Sequence, residues 1–116
     1  MKTASDPAGP DRLVTEFLQA MAADRGLSRN SLEAYRRDLL ASREFLVAQH
    51  VHFDSCTADH LRDLLASWHQ GGLAARSVAR RLSALRQMMG WLVDERIRED
   101  NPCCLLYTSD AADEVD

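Results

Sequence analysis

In the stretch Leu73-Ala-Ala-Arg-Ser-Val-Ala-Arg-Arg-Leu-Ser-Ala-Leu-Arg-Gln-Met-Met-Gly-Trp-Leu92, two side-chain patterns share the spacing of one α-helix. Apolar side chains recur every three or four residues, which is typical of a helix face that packs against a core. These residues are Val78, Leu82, Leu85, Met89 and Leu92. The opposite face carries no acidic residue, and its polar members are Arg76, Arg80, Ser83 and Gln87. Because guanidinium groups and short polar donors suit a polyanion, this helix predicts both a protein core and a nucleic-acid-binding face.

Three further stretches show helical periodicity, with residues at their ends that start or stop helices. The four predicted helices cover about residues 11–24, 28–49, 57–70 and 75–95. Asp11 and Thr57 are suited to cap the N-termini of the first and third helices, and Gly26 is suited to end the first. The third helix stops at Gly71-Gly72. Asp100-Asn101-Pro102 closes the fourth, because proline cannot continue a helix.

The predicted fold class is all-α, a compact four-helix bundle. The apolar stripes of the first three helices are Leu13, Val14, Phe17, Leu18 and Met21; Leu32, Tyr35, Leu39, Phe45 and Leu46; and Leu61, Leu64, Leu65 and Trp68. No segment shows the alternation of a strand, and the connections are short, so neighbouring helices pack directly on one another. Trp68, Trp91 and Tyr35 stand at core spacing, which favours a packing role for them.

Length and composition fit one small domain. The chain has 116 residues and a net charge of −4, and residues 110–116 contribute four acidic residues and no basic one. No apolar run is long enough to cross a bilayer, and the N-terminus lacks the apolar region of a secretory signal, so a cytoplasmic location is expected. We expect a disordered lead-in at 1–10, the folded domain at 11–102 and an unrelated or disordered acidic tail at 103–116.

Basic residues gather at the starts of the second and fourth helices, where free N–H groups and the helix dipole favour phosphate. Ten arginines and six acidic residues lie between residues 25 and 86. The clusters are Ser28, Arg29, Asn30, Ser31, Arg36 and Arg37, and then Arg76, Ser77, Arg80 and Arg81. The pattern predicts binding to duplex DNA, in which phosphate contacts fix the position of the protein and Arg, Asn or Gln side chains contact base edges.

The alternative interpretation of these clusters is a solvated helix face with ion pairs four residues apart. Glu33, Asp38 and Glu44 could form such pairs within the second helix. No comparable acid stands near the face that carries Arg76, Arg80 and Gln87, and for this reason the nucleic-acid interpretation is preferred there.

No pattern typical of a metal site or an active site stands out. His50, His52, Cys56 and His60 could supply metal ligands, but their spacing matches no zinc-site pattern, which favours surface or capping histidines. A Gly-rich phosphate loop, a nucleophile with its base and a carboxylate pair are all lacking. The three cysteines are expected to be free thiols, and no metal or cofactor is expected.

Three segments occur in a fixed order along the chain. They are Leu27-Ser-Arg-Asn-Ser-Leu-Glu-Ala-Tyr-Arg-Arg-Asp-Leu39, Gly72-Leu-Ala-Ala-Arg-Ser-Val-Ala-Arg-Arg-Leu-Ser-Ala-Leu-Arg86 and Arg98-Glu-Asp-Asn-Pro102. In this order and at these separations they resemble the N-terminal core-binding domain of Xer-type tyrosine site-specific recombinases, over about residues 11–102. The last segment is closer to the XerD branch of that family.

The resemblance implies a SAM-like bundle that forms half of a C-shaped clamp around DNA, with its second and fourth helices facing the duplex. The implied DNA-facing residues are Arg29, Asn30, Ser31, Arg36, Arg76, Ser77, Arg80, Arg81 and Arg86, to which the polar face adds Gln87. It further implies strand cleavage by a C-terminal tyrosine, without metal or high-energy cofactor. The family works as a tetramer of two related recombinases that typically resolves chromosome dimers.

The resemblance stops at Pro102, and the catalytic residues that it implies are missing from this chain. Tyr107 has no surrounding basic cluster and is not assigned as the nucleophile. We therefore expect a fragment that binds double-stranded DNA weakly and does not cleave it. The alternative, from a different functional class, is a small helical protein–protein interaction module without DNA binding.

Overall fold

Four α-helices account for most of the chain that the structure, a computed structural model, describes, which is residues 8–103. They are α1 (Ala8–Arg25), α2 (Arg29–Ala48), α3 (Ala58–Gln70) and α4 (Ala75–Asp94). No strand occurs between residues 8 and 103, and the predicted all-α class is confirmed. α2 lies against each of the other three helices, and α4 also contacts α1 and α3.

Polar side chains begin α2 and α3, as helix capping requires. Ser28 precedes α2, and its hydroxyl accepts a hydrogen bond from the Ser31 N–H at 3.2 Å. Thr57 precedes α3 and forms a capping box with His60. The Thr57 N–H donates to His60 Nδ1 at 3.0 Å, and the His60 N–H donates to Thr57 Oγ1 at 3.4 Å. The predicted cap at Thr57 and the capping role for a histidine are thus confirmed.

α1 begins earlier than the sequence predicted. The helix starts at Ala8, so the prediction that Asp11 caps its N-terminus is wrong. Pro10 falls in the first turn, where a missing N–H breaks no intrahelical hydrogen bond and the fixed φ suits a helix. Residues 8–10 therefore belong to the helix, and residues 1–7 of the predicted lead-in lie outside the described part of the chain.

Residues in the left-handed region end α1 and α4. Gly26 follows α1 with φ +63°, as predicted, and glycine adopts this conformation without steric cost. The chain leaves α4 through Arg96, at φ +62°, and the Ile97 N–H donates to the Leu92 carbonyl at 2.9 Å. α4 ends at Asp94, close to the predicted end near residue 95, but this turn closes the helix and not the predicted Asp100-Asn101-Pro102.

The core contains the predicted apolar stripes and further side chains outside them. Leu82, Leu85, Met89 and Leu92 of α4 are buried, and every other predicted stripe residue is buried or packs partly buried against the core. The buried apolar side chains that the sequence did not assign to the core are Phe53, Cys56, Ala58, Ala84, Met88 and Cys103. Since α4 contacts three helices, its buried face exceeds one stripe.

Arg98 connects the segment after α4 to the loop between α2 and α3. Its side chain is only 8% exposed. Nη1 donates to the Phe53 carbonyl at 2.7 Å, and Nη2 donates to the Cys56 carbonyl at 2.8 Å and to Asp100 at 3.1 Å. Cys103, predicted to start the tail, is buried in the core. Residues 104–116 lie outside the described range.

Cys56 and Cys103, the described cysteines, are both buried and form no disulfide, in agreement with the predicted thiols. Burial raises the pKa of the Cys56 thiol, although Arg98 acts in the opposite direction. A buried thiol of this kind is an unreactive part of the core.

Candidate nucleic-acid interface

α2 and α4 meet in a polar contact zone, the α2–α4 seam, formed by Tyr35 and Asp38 of α2 with Arg80 and Gln87 of α4. Tyr35, the earlier of the two α2 residues, contacts Gln87, the later of the two α4 residues. Asp38, which comes later in α2, contacts Arg80, which comes earlier in α4. The two helices therefore run antiparallel across the seam. The starts of the two helices, which carry Arg29 and Arg76, consequently lie toward opposite ends of the seam and not side by side.

Asp38 is an acidic residue that the sequence did not place on this face. Its side chain is 3% exposed, and its carboxylate accepts from Arg80 Nε at 2.7 Å and from Arg80 Nη2 at 3.0 Å. Such a bidentate pair is among the stronger hydrogen-bonding arrangements in proteins. The hydrogen bond and the charge of Asp38 raise the pKa of Arg80. The prediction that no acid lies near Arg76, Arg80 and Gln87 is therefore wrong.

Arg81 lies on the other side of the same carboxylate. Its Nε is 3.5 Å from Asp38 Oδ1, and its guanidinium carbon is 5.5 Å from the centre of the Trp68 ring, a cation–π distance. The Arg81 side chain is 23% exposed. The structure thus places Arg81 among α2, α3 and α4, whereas the sequence grouped it with the DNA-facing residues.

Gln87 is also used inside the protein. Its Nε2 donates to the Tyr35 hydroxyl and to Ser83 Oγ, both at 3.1 Å, and its Oε1 is buried without a hydrogen-bond partner. Both amide donors therefore serve contacts within the seam. Gln87, which the sequence assigned to DNA, supports the α2–α4 contact in this structure.

The other predicted site residues divide by exposure. Arg29, Asn30, Arg36 and Arg76 are exposed, and Ser31, Ser77 and Arg86 are half-buried. Ser31 is engaged by Ser28 at the start of α2. Arg80 keeps 43% of its side chain exposed despite the ion pair. Four arginines of the predicted set, Arg29, Arg36, Arg76 and Arg80, therefore present guanidinium groups to solvent.

The N-terminus of α4 differs from those of α2 and α3. Ala74 occupies its N-cap position and makes no side-chain capping hydrogen bond, whereas Ser28 and Thr57 cap the other two helices. The first N–H groups of a helix have no intrahelical partner. Next to Arg76, these donors and the positive end of the helix dipole form an environment that favours an anion.

Asp38 could have been found from the sequence by a stricter use of helical spacing. It lies three residues after Tyr35, directly before Leu39 and four residues before Ser42, which is also buried. This position is on the edge of the apolar stripe of α2. A carboxylate there must have a cationic partner, because an unpaired buried charge is strongly unfavourable.

Within the described residues, no group of three or more His, Cys, Asp or Glu side chains could hold a metal ion. Of the candidate metal ligands in the sequence, His60 forms part of the α3 cap and Cys56 lies in the core. No helix between residues 8 and 103 has the length and hydropathy needed to span a bilayer.

Comparison with known protein families gives a match over most of this chain. The family model described as phage integrase, N-terminal SAM-like domain, matches residues 14–96, which include α2, α3 and α4 entirely. Asp38 and Arg80 both lie inside the matched range.

Three relatives illustrate the similarity. Tyrosine recombinase XerD of Brucella abortus strain 2308 is 44% identical over 94 residues, which are 81% of this chain and 30% of that protein. XerD of Proteus mirabilis is 40% identical over 98 residues, 84% of this chain and 31% of that protein. Tyrosine recombinase XerC of Erythrobacter litoralis is 44% identical over 95 residues, 80% and 28% of the two chains. The chain thus spans less than a third of the length of these relatives.

Proposed function

This chain belongs to the family of phage integrase N-terminal SAM-like domains, and from that membership we propose that it binds duplex DNA through α2 and α4. The observation that carries the proposal is the uncapped N-terminus of α4, flanked by the exposed arginines Arg76 and Arg80. Backbone donors, a positive dipole end and guanidinium groups together form a phosphate-binding arrangement.

Charge distribution supports the same proposal. The chain is acidic overall, yet the segment from residue 25 to residue 86 has four more basic than acidic residues. Arg29 at the start of α2 and Arg76 at the start of α4 lie toward opposite ends of the antiparallel seam, so the phosphates that they contact would be separated along the duplex. Contacts of this kind fix a protein on DNA without sequence information of their own.

We extend the proposal to the role of the domain. In a longer tyrosine recombinase it would hold the DNA while other parts of the protein carry out strand cleavage and rejoining. Assembly into a tetramer with a related recombinase, action in the cytoplasm and resolution of chromosome dimers belong to this extended proposal. The described residues contribute DNA binding to it and no catalytic group.

The test is a titration of the 116-residue chain with a fluorescent mixed-sequence duplex of about 25 base pairs, a length comparable to known bent binding sites. If three or four phosphates are contacted, affinity falls about 40- to 150-fold between about 50 and 200 mM salt. Arg76→Ala should lower the slope of log affinity against log salt by about one unit. The matched control is Arg62→Ala, since Arg62 is an exposed arginine on α3. Binding that does not depend on salt would contradict the proposal.

The second hypothesis, a protein–protein interaction module, has little support on the described surface. Val47 and Ile97 are the exposed large hydrophobic side chains between residues 12 and 103, at 39% and 38% exposure. Isolated apolar side chains of this kind are normal on monomeric proteins. Concentration-dependent self-association in size-exclusion chromatography, together with absent DNA binding, would favour this alternative.

A further inference from the structure

Asp38 is a carboxylate on a surface whose proposed ligand is a polyanion. By charge alone, such a residue opposes DNA binding. Its side chain is almost fully buried and pairs with Arg80, and Arg81 approaches it from the other side. A role in the α2–α4 contact explains the burial, but it does not explain why the acid engages an arginine that stays 43% exposed.

The geometry of the pair determines what Arg80 can still do. A guanidinium group has two edges with two parallel N–H donors each, one formed by Nε and Nη2 and the other by Nη1 and Nη2. Asp38 occupies the first edge, through Nε at 2.7 Å and Nη2 at 3.0 Å. The second edge remains for an external ligand, and the exposed fraction of the side chain gives access to it.

Asp38 is itself held in place. It lies in the middle of α2, and Ser42 Oγ donates to its backbone carbonyl at 3.1 Å. Arg81, positioned over the Trp68 ring, is 3.5 Å from Oδ1. An arginine on a surface otherwise samples many rotamers, and that freedom is lost on binding. A fixed carboxylate removes much of this freedom before any ligand arrives.

We propose that Asp38 is a positioning residue that fixes Arg80 with its Nη1–Nη2 edge toward the duplex. The inference rests on the proposed DNA binding. The ligand of this edge is a pair of adjacent acceptors, supplied by the O6 and N7 atoms of guanine or by two oxygens of one phosphate. Because Asp38 offsets the charge of Arg80, the contribution of Arg80 to binding is geometric more than electrostatic.

The direction in which Asp38→Asn changes DNA affinity separates a positioning role of Asp38 from an effect of its charge. Asp38→Asn removes a negative charge from the DNA-binding side, so charge alone predicts tighter binding. Positioning predicts weaker binding, by roughly 5- to 20-fold, because the fork of Arg80 is no longer fixed. The matched control is Glu33→Gln, which removes the same charge from an exposed position on the same helix. Glu33→Gln should bind DNA equally or slightly more tightly.

A double-mutant cycle shows whether Asp38 acts through Arg80. Binding of the mixed-sequence duplex is measured for Asp38→Asn, Arg80→Ala and the double variant. If Asp38 acts through Arg80, adding Asp38→Asn to Arg80→Ala causes no further loss of affinity. Full additivity of the two losses would overturn the inference, as would an Asp38→Asn variant that binds as tightly as Glu33→Gln.

If Asp38→Asn does not fold, Arg80→Lys tests whether binding needs the second edge of the guanidinium group. Lysine keeps the positive charge and can pair with Asp38, but it has no second edge. Arg80→Lys should then lose about as much affinity as Arg80→Ala, and wild-type affinity in this variant would overturn the inference. A duplex with 7-deazaguanine in place of guanine identifies the ligand. If the wild type binds this duplex more weakly and Arg80→Ala does not, the ligand is a base edge. If the wild type binds both duplexes equally, the ligand is a phosphate. A wild-type chain that does not bind DNA at all removes the proposed function, whereas equal binding by Asp38→Asn removes only the positioning role.

Discussion

Replacing Arg98 with alanine should strongly destabilise the domain. The guanidinium donates to two carbonyl oxygens, of Phe53 at 2.7 Å and of Cys56 at 2.8 Å, and to Asp100 at 3.1 Å. A hydrogen bond from a charged donor contributes about 1.5–3 kcal/mol, and a buried acceptor left without its donor adds a desolvation cost. Two buried carbonyls therefore give a loss of about 3–5 kcal/mol, against a total stability of about 5–15 kcal/mol for domains in general.

Urea denaturation followed by circular dichroism measures this loss. The control is Arg62→Ala, whose ion pair with Asp59 is exposed on both sides and should contribute less than about 1 kcal/mol. Arg98→Lys keeps the charge but cannot donate to both carbonyls and to Asp100 with the same geometry, so an intermediate loss is expected. A loss below about 1 kcal/mol for Arg98→Ala at unchanged m-value would refute the reasoning, because water would then satisfy both carbonyls without penalty.

Three further predictions follow from single features of the fold. Ala74→Asp should stabilise the domain by about 0.5–2 kcal/mol, because it caps α4. It should also weaken duplex binding, because it occupies the N–H donors proposed for phosphate. Thermal melts and DNA titrations check the two effects, with the uncharged cap Ala74→Ser for comparison. Leu85→Ala should cost about 2–5 kcal/mol in urea denaturation, because the side chain is fully buried. Burial raises the pKa of Cys56, so the fold favours its protonated thiol, and the stability from this group should be present below the ordinary thiol pKa and decline as the pH rises above it. Denaturation curves across that pH range, compared with those of Cys56→Ser, would show no difference in pH dependence if this reasoning is wrong.

Helix positions and most of the core followed from the sequence, because both depend on local periodicity. Neighbouring residues of the α4 stripe lie about one turn apart, and so do Thr57 and His60 in the cap of α3. Asp11 does not begin α1, because Pro10 fits the first turn of a helix and the helix starts at Ala8. The turn at Arg96 has no glycine to mark it, so the sequence shows about where α4 ends but points to Pro102 as the residue that closes it.

The pairings between helices inside the candidate site could not be predicted in this way. Arg80 and Asp38 are 42 residues apart, and Gln87 and Tyr35 are 52 residues apart. Whether Gln87 faces solvent or bridges two helices depends on which residue the other helix brings opposite it. Periodicity on one helix identifies a polar face but cannot say which of its members another helix will engage. Arg29, Arg36 and Arg76 remain predicted DNA contacts, and their exposure is compatible with that role.

The antiparallel α2–α4 seam also bears on how the binding surface forms during folding. Closing a chain segment of 42 residues between Asp38 and Arg80 has an entropic cost that local helix formation does not have. Contacts at such separations slow folding, and they require that α2 and α4 are both in place. A partly folded chain with α4 undocked would leave Asp38 without its partners and Arg80 without orientation. The proposed duplex binding would thus be coupled to completion of the fold, and DNA that binds the native state alone would shift the folding equilibrium toward it.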